Sequence, residues 1–411
     1  MDEMKLVRSA QDLIRIAQHT DHVLTLFSGG LDSSYLLAML SELPVKVTAL
    51  AVDLGDDIDQ PRLAQICEHF GAELVVANAR SNFIHNAIIP ALQAQAKYLG
   101  IFPISSSLSR PIIAQQAVEI AQRRNCGAIL HTANLSQNSL RRLNGAISSS
   151  EYSGFYGSPY QLTVLSREQK KQALGILGLH GFSRRCVSGD SNLWCREYES
   201  GILDNPECFF VPDGLFQWSV YQPNLQLSSE RHILSITFRH GVPVSINGIS
   251  MPLERMIGYL NCVVGAYQIG QYAGLEHLEG GQKVLEVREA PAAAVLMDAY
   301  RQLETAVHPA SLLQQKLIME QQWVMEAVEG RWGSTTHTAA RDFINATTDN
   351  VCGVVTFQLH RGGWAVNAIL AENPLYLKNR DMWEAQQAAL LCRREDGELR
   401  HEQNIWHKTW A

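Results

Sequence analysis

The residues with the clearest chemical purpose are Ser28-Gly29-Gly30-Leu31-Asp32-Ser33-Ser34. They follow the apolar run 23–27 and lead into Leu31, Tyr35, Leu36, Met39, Leu40 and Leu43, which recur at helical spacing. Strand, turn and helix meet there. Two consecutive glycines let the backbone approach an anion with no β-carbon in the way, and the helix start adds unpaired N–H groups and a positive dipole end. The hydroxyls of Ser28, Ser33 and Ser34 are further donors, and Asp32 is placed to hold Mg²⁺ or to orient them. Such a loop can cradle a pyrophosphate group. It is not the GxxxxGK[ST] loop, whose lysine is missing, nor the GxGxxG dinucleotide turn.

The elements that must position this loop read as an alternation. Residues 45–52 form a β-rich run ending in the polar stretch 53–59; 60–70 reads as a helix and 73–77 as a third strand. Residues 83–99 are a helix candidate interrupted by Pro90, and 109–125 a second, opened by a serine cap and an early Pro111 and followed by a strand at 128–132. Alternation at this spacing implies a parallel sheet covered on both faces, so residues 1–172 are expected to be a doubly wound α/β nucleotide-binding domain. Glycine, serine and aromatic residues then interleave through 183–222. Short β-like runs at 232–238 and 242–246 precede a long helix near 292–306, which suits an α+β domain over 173–376. Residues 377–411 read as a polar helical tail with isolated Trp383, Trp406 and Trp410, fitted either to dock on a partner subunit or to fold onto its own domain.

Composition narrows the classes. With 411 residues the chain outgrows a single core, and its 46% apolar and 18% charged residues can fill two or three. A net charge of −7 argues against a dominant pull towards nucleic acid. No apolar stretch reaches signal-peptide or membrane-spanning length, so a cytoplasmic protein without membrane contact is expected. Eight cysteines lie scattered without CxxC pairs and the histidines show no HExxH spacing; reduced core cysteines are expected, and no protein-built metal cluster.

The loop resembles the SGGxDS pyrophosphate loop of N-type ATP pyrophosphatases, an adenine nucleotide α-hydrolase-like fold, and five further stretches narrow the likeness. Residues 98–111 (YLGIFPISSSLSRP) resemble the argininosuccinate synthase signature Y-x-G-x-Y-P-L-G-T-x-L-A-R-P. Residues 183–206, with Ser188-Gly-Asp190-Ser-Asn192-Leu-Trp194-Cys-Arg196, are similar to S-x-D-E-N-L-W-G-R-S-x-E-x-G-x-L-E-D-P, and 283–291 (KVLEVREAP) to K-S-R-E-V-Y-E-A-P. Residues 349–362 and 373–376 echo the C-terminal part of that family. The resemblance implies adenylation by ATP and Mg²⁺: a carbonyl oxygen of an amino-acid-like substrate attacks the α-phosphorus, pyrophosphate leaves, and an amine displaces AMP. It implies a homotetramer as well. Carried over position by position, Phe27, Ser28, Gly29, Gly30, Asp32, Ser33, Ser34, Asp53 and His131 fall where ATP is held, with Asp32 and Ser33 at the reacting phosphates. Tyr98, Ser106, Asn138, Ser139, Arg142, Ser188, Glu197, Glu199 and Glu289 fall where substrates are held.

The sequence also departs from that family. Its H-G-x-T-G-K-G-N-D-Q-V-R-F-E loop corresponds to residues 131–144, where the glycines and lysine are gone, Asn134 replaces the threonine and Ser139 replaces the acid expected to receive the amino group of aspartate. Glu197 replaces a serine, Val284 another, and G-R-I-D becomes Gly270-Gln-Tyr-Ala273. A hydroxyl in place of a carboxylate removes a charge-assisted partner worth about 1.5–3 kcal/mol. The expectation is therefore a ligase of specialised metabolism with altered substrates. The alternatives are authentic argininosuccinate synthesis from citrulline and aspartate, or a weakened nucleotide-binding regulator.

Overall fold

A computed structural model describes residues 5–182, 187–225, 227 and 232–395, the side chains of 392–395 excepted. Six parallel strands lie in the order Leu6–Val7, Phe155–Gly157, Ala128–Leu130, His22–Leu26, Lys46–Asp53, Glu73–Asn78. The central strand buries four of its five residues because helices cover it on both sides. On one side Leu13 and Ile16, Leu36, Leu37 and Leu40, and Leu63 and Ile66 bring in helices Ala10–Ala17, Leu31–Ser41 and Gln60–His69. On the other, Ala114, Ala117 and Ala121 of helix Ser106–Arg123 and Leu143 and Ile147 of helix Ser139–Ser148 do the same. This is the doubly wound arrangement expected from the alternation.

Two boundaries differ from expectation. The helix expected over 83–99 ends at Gln93, and its middle is a π-helical turn, Ile84–Ile88, just before Pro90. The wider turn accommodates the missing proline N–H. Gln95 and Leu99, both at φ 47°, then turn the chain through the pair Lys97–Tyr98 and Phe102–Pro103. The helix expected from 109 begins at Ser106, leaving Pro111 inside it. Its start is set by a distant partner, since the Ser106 N–H donates to Glu197 Oε1 at 3.2 Å.

The remaining chain builds two antiparallel sheets. One runs Ile249–Ser250, Val242–Ile246, Ile233–Arg239, Gly353–His360, Gly363–Ala371; the other Gln271–His277, Lys283–Glu289, Arg196–Glu199, Ser188–Ser191. Helix Pro291–Val307 packs beneath the first, in a core that also takes in Phe83, Ala91, Leu92 and Tyr98. Helix Ser139–Ser148 meets the second part so tightly that a β-carbon on Gly145 would lie 2.1 Å from the Gly330 carbonyl. Helix Arg380–Glu395 carries the exposed Met382, Trp383 and Leu391; Trp406 and Trp410 lie outside the described residues. Among the described cysteines Cys67, Cys126, Cys195 and Cys352 are buried, whereas Cys208 and Cys262 are exposed, so the core expectation fails for those two; Cys186 and the side chain of Cys392 lie outside what is described. No described helix is long and apolar enough to cross a membrane.

Candidate functional site

The loop 28–33 leaves the carboxyl end of the central strand, next to the point where sequence neighbours stop being sheet neighbours: His22–Leu26 pairs with Lys46–Asp53 on one side and with Ala128–Leu130 on the other. Such switch points open a crevice for ligands. Gly29 sits at φ +70°, and a β-carbon there would lie 2.4 Å from Leu63 Cδ2, so the turn requires glycine. Gly30 caps helix Leu31–Ser41, whose first N–H groups have no intrahelical acceptor. Ser28 and Ser33 bring their hydroxyls within 3.4 Å, and Ser33 Oγ donates to Gly30 O at 3.2 Å. The Ser34 hydroxyl is buried with no partner among the described residues. Asp32 is bound to Lys170 Nζ at 2.7 Å through Oδ1. Phe27 contributes backbone to the turn, while its ring belongs to the core.

Asp53 ends one of the two strands flanking the loop, and His131 directly follows the other. Asp53 accepts from the Gly55 N–H at 2.9 Å and from Arg80 Nε at 2.9 Å, and Arg80 also reaches Glu254. His131 accepts the Ala133 N–H on Nδ1, which leaves Nε2 to donate to Asn144 Oδ1 at 2.9 Å. Burial lowers its pKa to about 4, so this ring is neutral at physiological pH. It therefore braces the segment 131–144 that runs on to the substrate side.

That segment faces the four-stranded sheet. Strand alternation puts Ser188, Asp190, Glu197, Glu199, Glu276, Glu286 and Arg288 on one face, as the pairs Ser188–Glu199, Asp190–Glu197 and Glu197–Arg288 show. Arg142, 2% exposed, answers from helix Ser139–Ser148: it donates to Val328 O at 3.0 Å, to Ser106 Oγ at 2.7 Å and to Glu276. Asn138 Nδ2 donates to Glu276 Oε1 at 2.7 Å. Arg288 closes the network through Glu276 at 2.9 Å, Glu197 at 2.8 Å and Glu286 at 3.4 Å, with Phe102 stacked under its guanidinium. Tyr98 meets His277 Nδ1 at 2.9 Å. Arg110 bonds Ser139 Oγ at 3.0 Å and Asp190 at 3.0 Å, and Gln137 bonds Glu199 at 3.1 Å.

Seven of the nine residues assigned to substrates thus converge on this face and the helix starts opposite it, and Tyr98 reaches the edge strand at His277. Glu289 does not, because odd positions of its strand point the other way. Its fully buried carboxylate accepts from Tyr198 Oη at 2.8 Å and from the N–H groups of Gln217, Trp218 and Ser219.

The face holds more acid than base. Burial works against ionisation of Glu276, but Arg142 and Arg288 outweigh it and hold this carboxyl at about 2. Burial pushes Glu286 well above the ordinary carboxylate range, and Arg288 compensates less there. Three carboxyls share two guanidiniums. Burial raises Glu199 too, against the pull of Gln137. Sequence reading gave no role to Glu276, Glu286, Arg288, Arg110 or Lys170; the available signal was the charged pair Glu286 and Arg288, two apart among Leu285 and Val287.

Two family profiles match the chain: "Arginosuccinate synthase N-terminal HUP domain" over residues 22–169 and "Arginosuccinate synthase C-terminal domain" over residues 187–394. The argininosuccinate synthase of Pyrococcus furiosus is 30% identical over 353 residues, covering 85% of this chain and 85% of the relative. That of Hyperthermus butylicus is 31% identical over 352 residues, covering 84% and 87%. That of Oceanobacillus iheyensis is 30% identical over 363 residues, covering 87% and 86%.

Proposed function

The chain belongs to the argininosuccinate synthase family, and from that premise we propose that it is an ATP-dependent ligase that adenylates a carbonyl oxygen of an amino-acid-like substrate and joins an amine to the activated carbon. One observation carries this reading: the 28–33 loop presents a glycine-walled helix start and two facing hydroxyls at the sheet's switch point. The carbonyl oxygen attacks the α-phosphorus, the bridging P–O bond breaks, and the electron pair leaves with pyrophosphate. The helix N–H groups, Ser28 and Ser33 receive that charge where it develops. The amine then attacks the carbon and AMP leaves.

Mg²⁺ fits this loop as a companion of the triphosphate. No described cluster of side chains forms a metal cage, which suits an ion held chiefly by phosphates, and Asp32 has one carboxylate oxygen outside its ion pair. Bound there, the ion would neutralise phosphate charge.

The relatives' name makes citrulline and aspartate the first pair in this proposal. A second reading, altered substrates in specialised metabolism, is favoured by one observation: the Arg142 guanidinium and the Ser139 hydroxyl are already bonded within the chain. ATP–pyrophosphate exchange with citrulline and a panel of amino acids tests both. Exchange with citrulline followed by argininosuccinate formation with aspartate supports the first; exchange only with another acceptor supports the second; no exchange with any acceptor refutes the ligase. We also place the chain in the cytoplasm, where ATP and free amino acids are at hand, divide off its tail after residue 376, and assign it a homotetramer. The exposed Met382, Trp383 and Leu391 of the tail support the assembly.

A further inference from the structure

We propose that Lys170 is a phosphate-binding residue of the 28–33 loop, supplying from a separate helix the cation that clamps the departing pyrophosphate. The role rests on the reading of that loop as a pyrophosphate cradle.

Lys170 lies on helix Arg167–Ile176, whose start is fixed by a capping box between Ser166 and Gln169. Leu174 of the same helix is fully buried against Leu31 and Ala38, so the helix is seated on the helix that begins at the loop. Only 7% of Lys170 is exposed. Its Nζ lies 2.7 Å from Asp32 Oδ1 and 4.5 Å from the centre of the Tyr160 ring, and Tyr160 Oη donates to the Asp32 carbonyl at 2.8 Å. Lys170 is the only lysine or arginine among the described residues that bonds the stretch 28–34.

An ammonium has three N–H donors. Here one meets an oxygen; the other two have no acceptor among the described residues. Nearby, the buried Ser34 hydroxyl also lacks a partner. A buried ammonium held by one carboxylate, itself 40% exposed, is incompletely compensated. The anion that completes it is a phosphate group on the loop. The residues 131–144 carry no lysine, so no cation reaches the phosphates from that side through a lysine. When the P–O bond breaks and its electron pair passes to the pyrophosphate oxygen, Lys170 stands beside the growing charge, its ammonium set over the Tyr160 face.

The test measures binding of inorganic pyrophosphate and of AMP, separately, to the full chain and to K170M and K170R by calorimetry. K170M is expected to bind pyrophosphate about 10- to 100-fold more weakly, the loss of one charge-assisted contact, while AMP affinity stays within about twofold. K170R is expected to recover most of the pyrophosphate affinity. Equal loss of both ligands, or unchanged pyrophosphate binding in K170M, overturns the proposal; should K170M not fold, K170Q carries the same comparison. A wild-type chain that binds neither ligand instead refutes the cradle on which the proposal rests.

Discussion

Replacing Glu276 by glutamine removes the charge that holds Arg142 and Arg288 together across the domain junction. Its carboxyl, 1% exposed, lies between both guanidiniums, and they lower its pKa from an ordinary 4.5 to about 2. At about 1.4 kcal/mol per pH unit that fall corresponds to about 3 kcal/mol of folding stability at neutral pH. Breaking a buried pair by deleting one partner is worth about 3–5 kcal/mol, so the two routes agree. The sign follows from the direction of the shift: a carboxyl depressed in the folded state stabilises above its unfolded pKa, and that contribution fades as pH falls from about 4.5 towards 2. Glu286 is the control, since its folded pKa is raised. It keeps its proton where the unfolded chain would lose one, so it opposes folding above about pH 4.5 and glutamine relieves that. Urea unfolding at pH 7, followed through the buried Trp194 and Trp323, is expected to show E276Q about 3 kcal/mol less stable and E286Q within about 1 kcal/mol of wild type or above it. Equal losses in the two variants, or the reverse order, would refute the opposite shifts of the two carboxyls.

Other outcomes follow from the same geometry. G29V must place a β-branched residue at φ +70°, at a cost of about 1–2 kcal/mol, and push against Leu63; it is expected to abolish acceptor-dependent pyrophosphate release while far-UV circular dichroism is retained, and preserved release would contradict the cradle. S139D restores a carboxylate beside Arg110 and is expected to lower the KM for aspartate about tenfold; an unchanged KM removes Ser139 from amine selection. Deleting the residues after Tyr376 removes Trp383 and its apolar neighbours and is expected to reduce the mass seen by light scattering; an unchanged mass assigns the assembly elsewhere.

The layered fold was legible because its signals are local. Strand 242–246 was found residue for residue, and the helix beginning at Leu31 announced itself through apolar spacing and two glycines. Pro111 misled because proline favours a helix start, whereas here the start follows the reach of Glu197 to the Ser106 N–H. The site was legible where a motif is contiguous, as in 28–33. It was not where partners lie far apart: Arg142 and Glu276 are 134 residues apart in sequence, Lys170 and Asp32 138. Glu289 shows a further loss, because a motif fixes a residue's position but not which face of its strand the neighbouring layer will cover. Its carboxylate serves the backbone of residues 217–219.

The most direct test of adenylation follows the oxygen. The acceptor that supports ATP–pyrophosphate exchange, citrulline first, is labelled with ¹⁸O at its carbonyl, turned over with the amine, and the nucleotide product weighed by mass spectrometry. Attack of that oxygen on the α-phosphorus places one ¹⁸O in AMP and none in pyrophosphate. Unlabelled AMP, or ADP with labelled phosphate, would contradict the account.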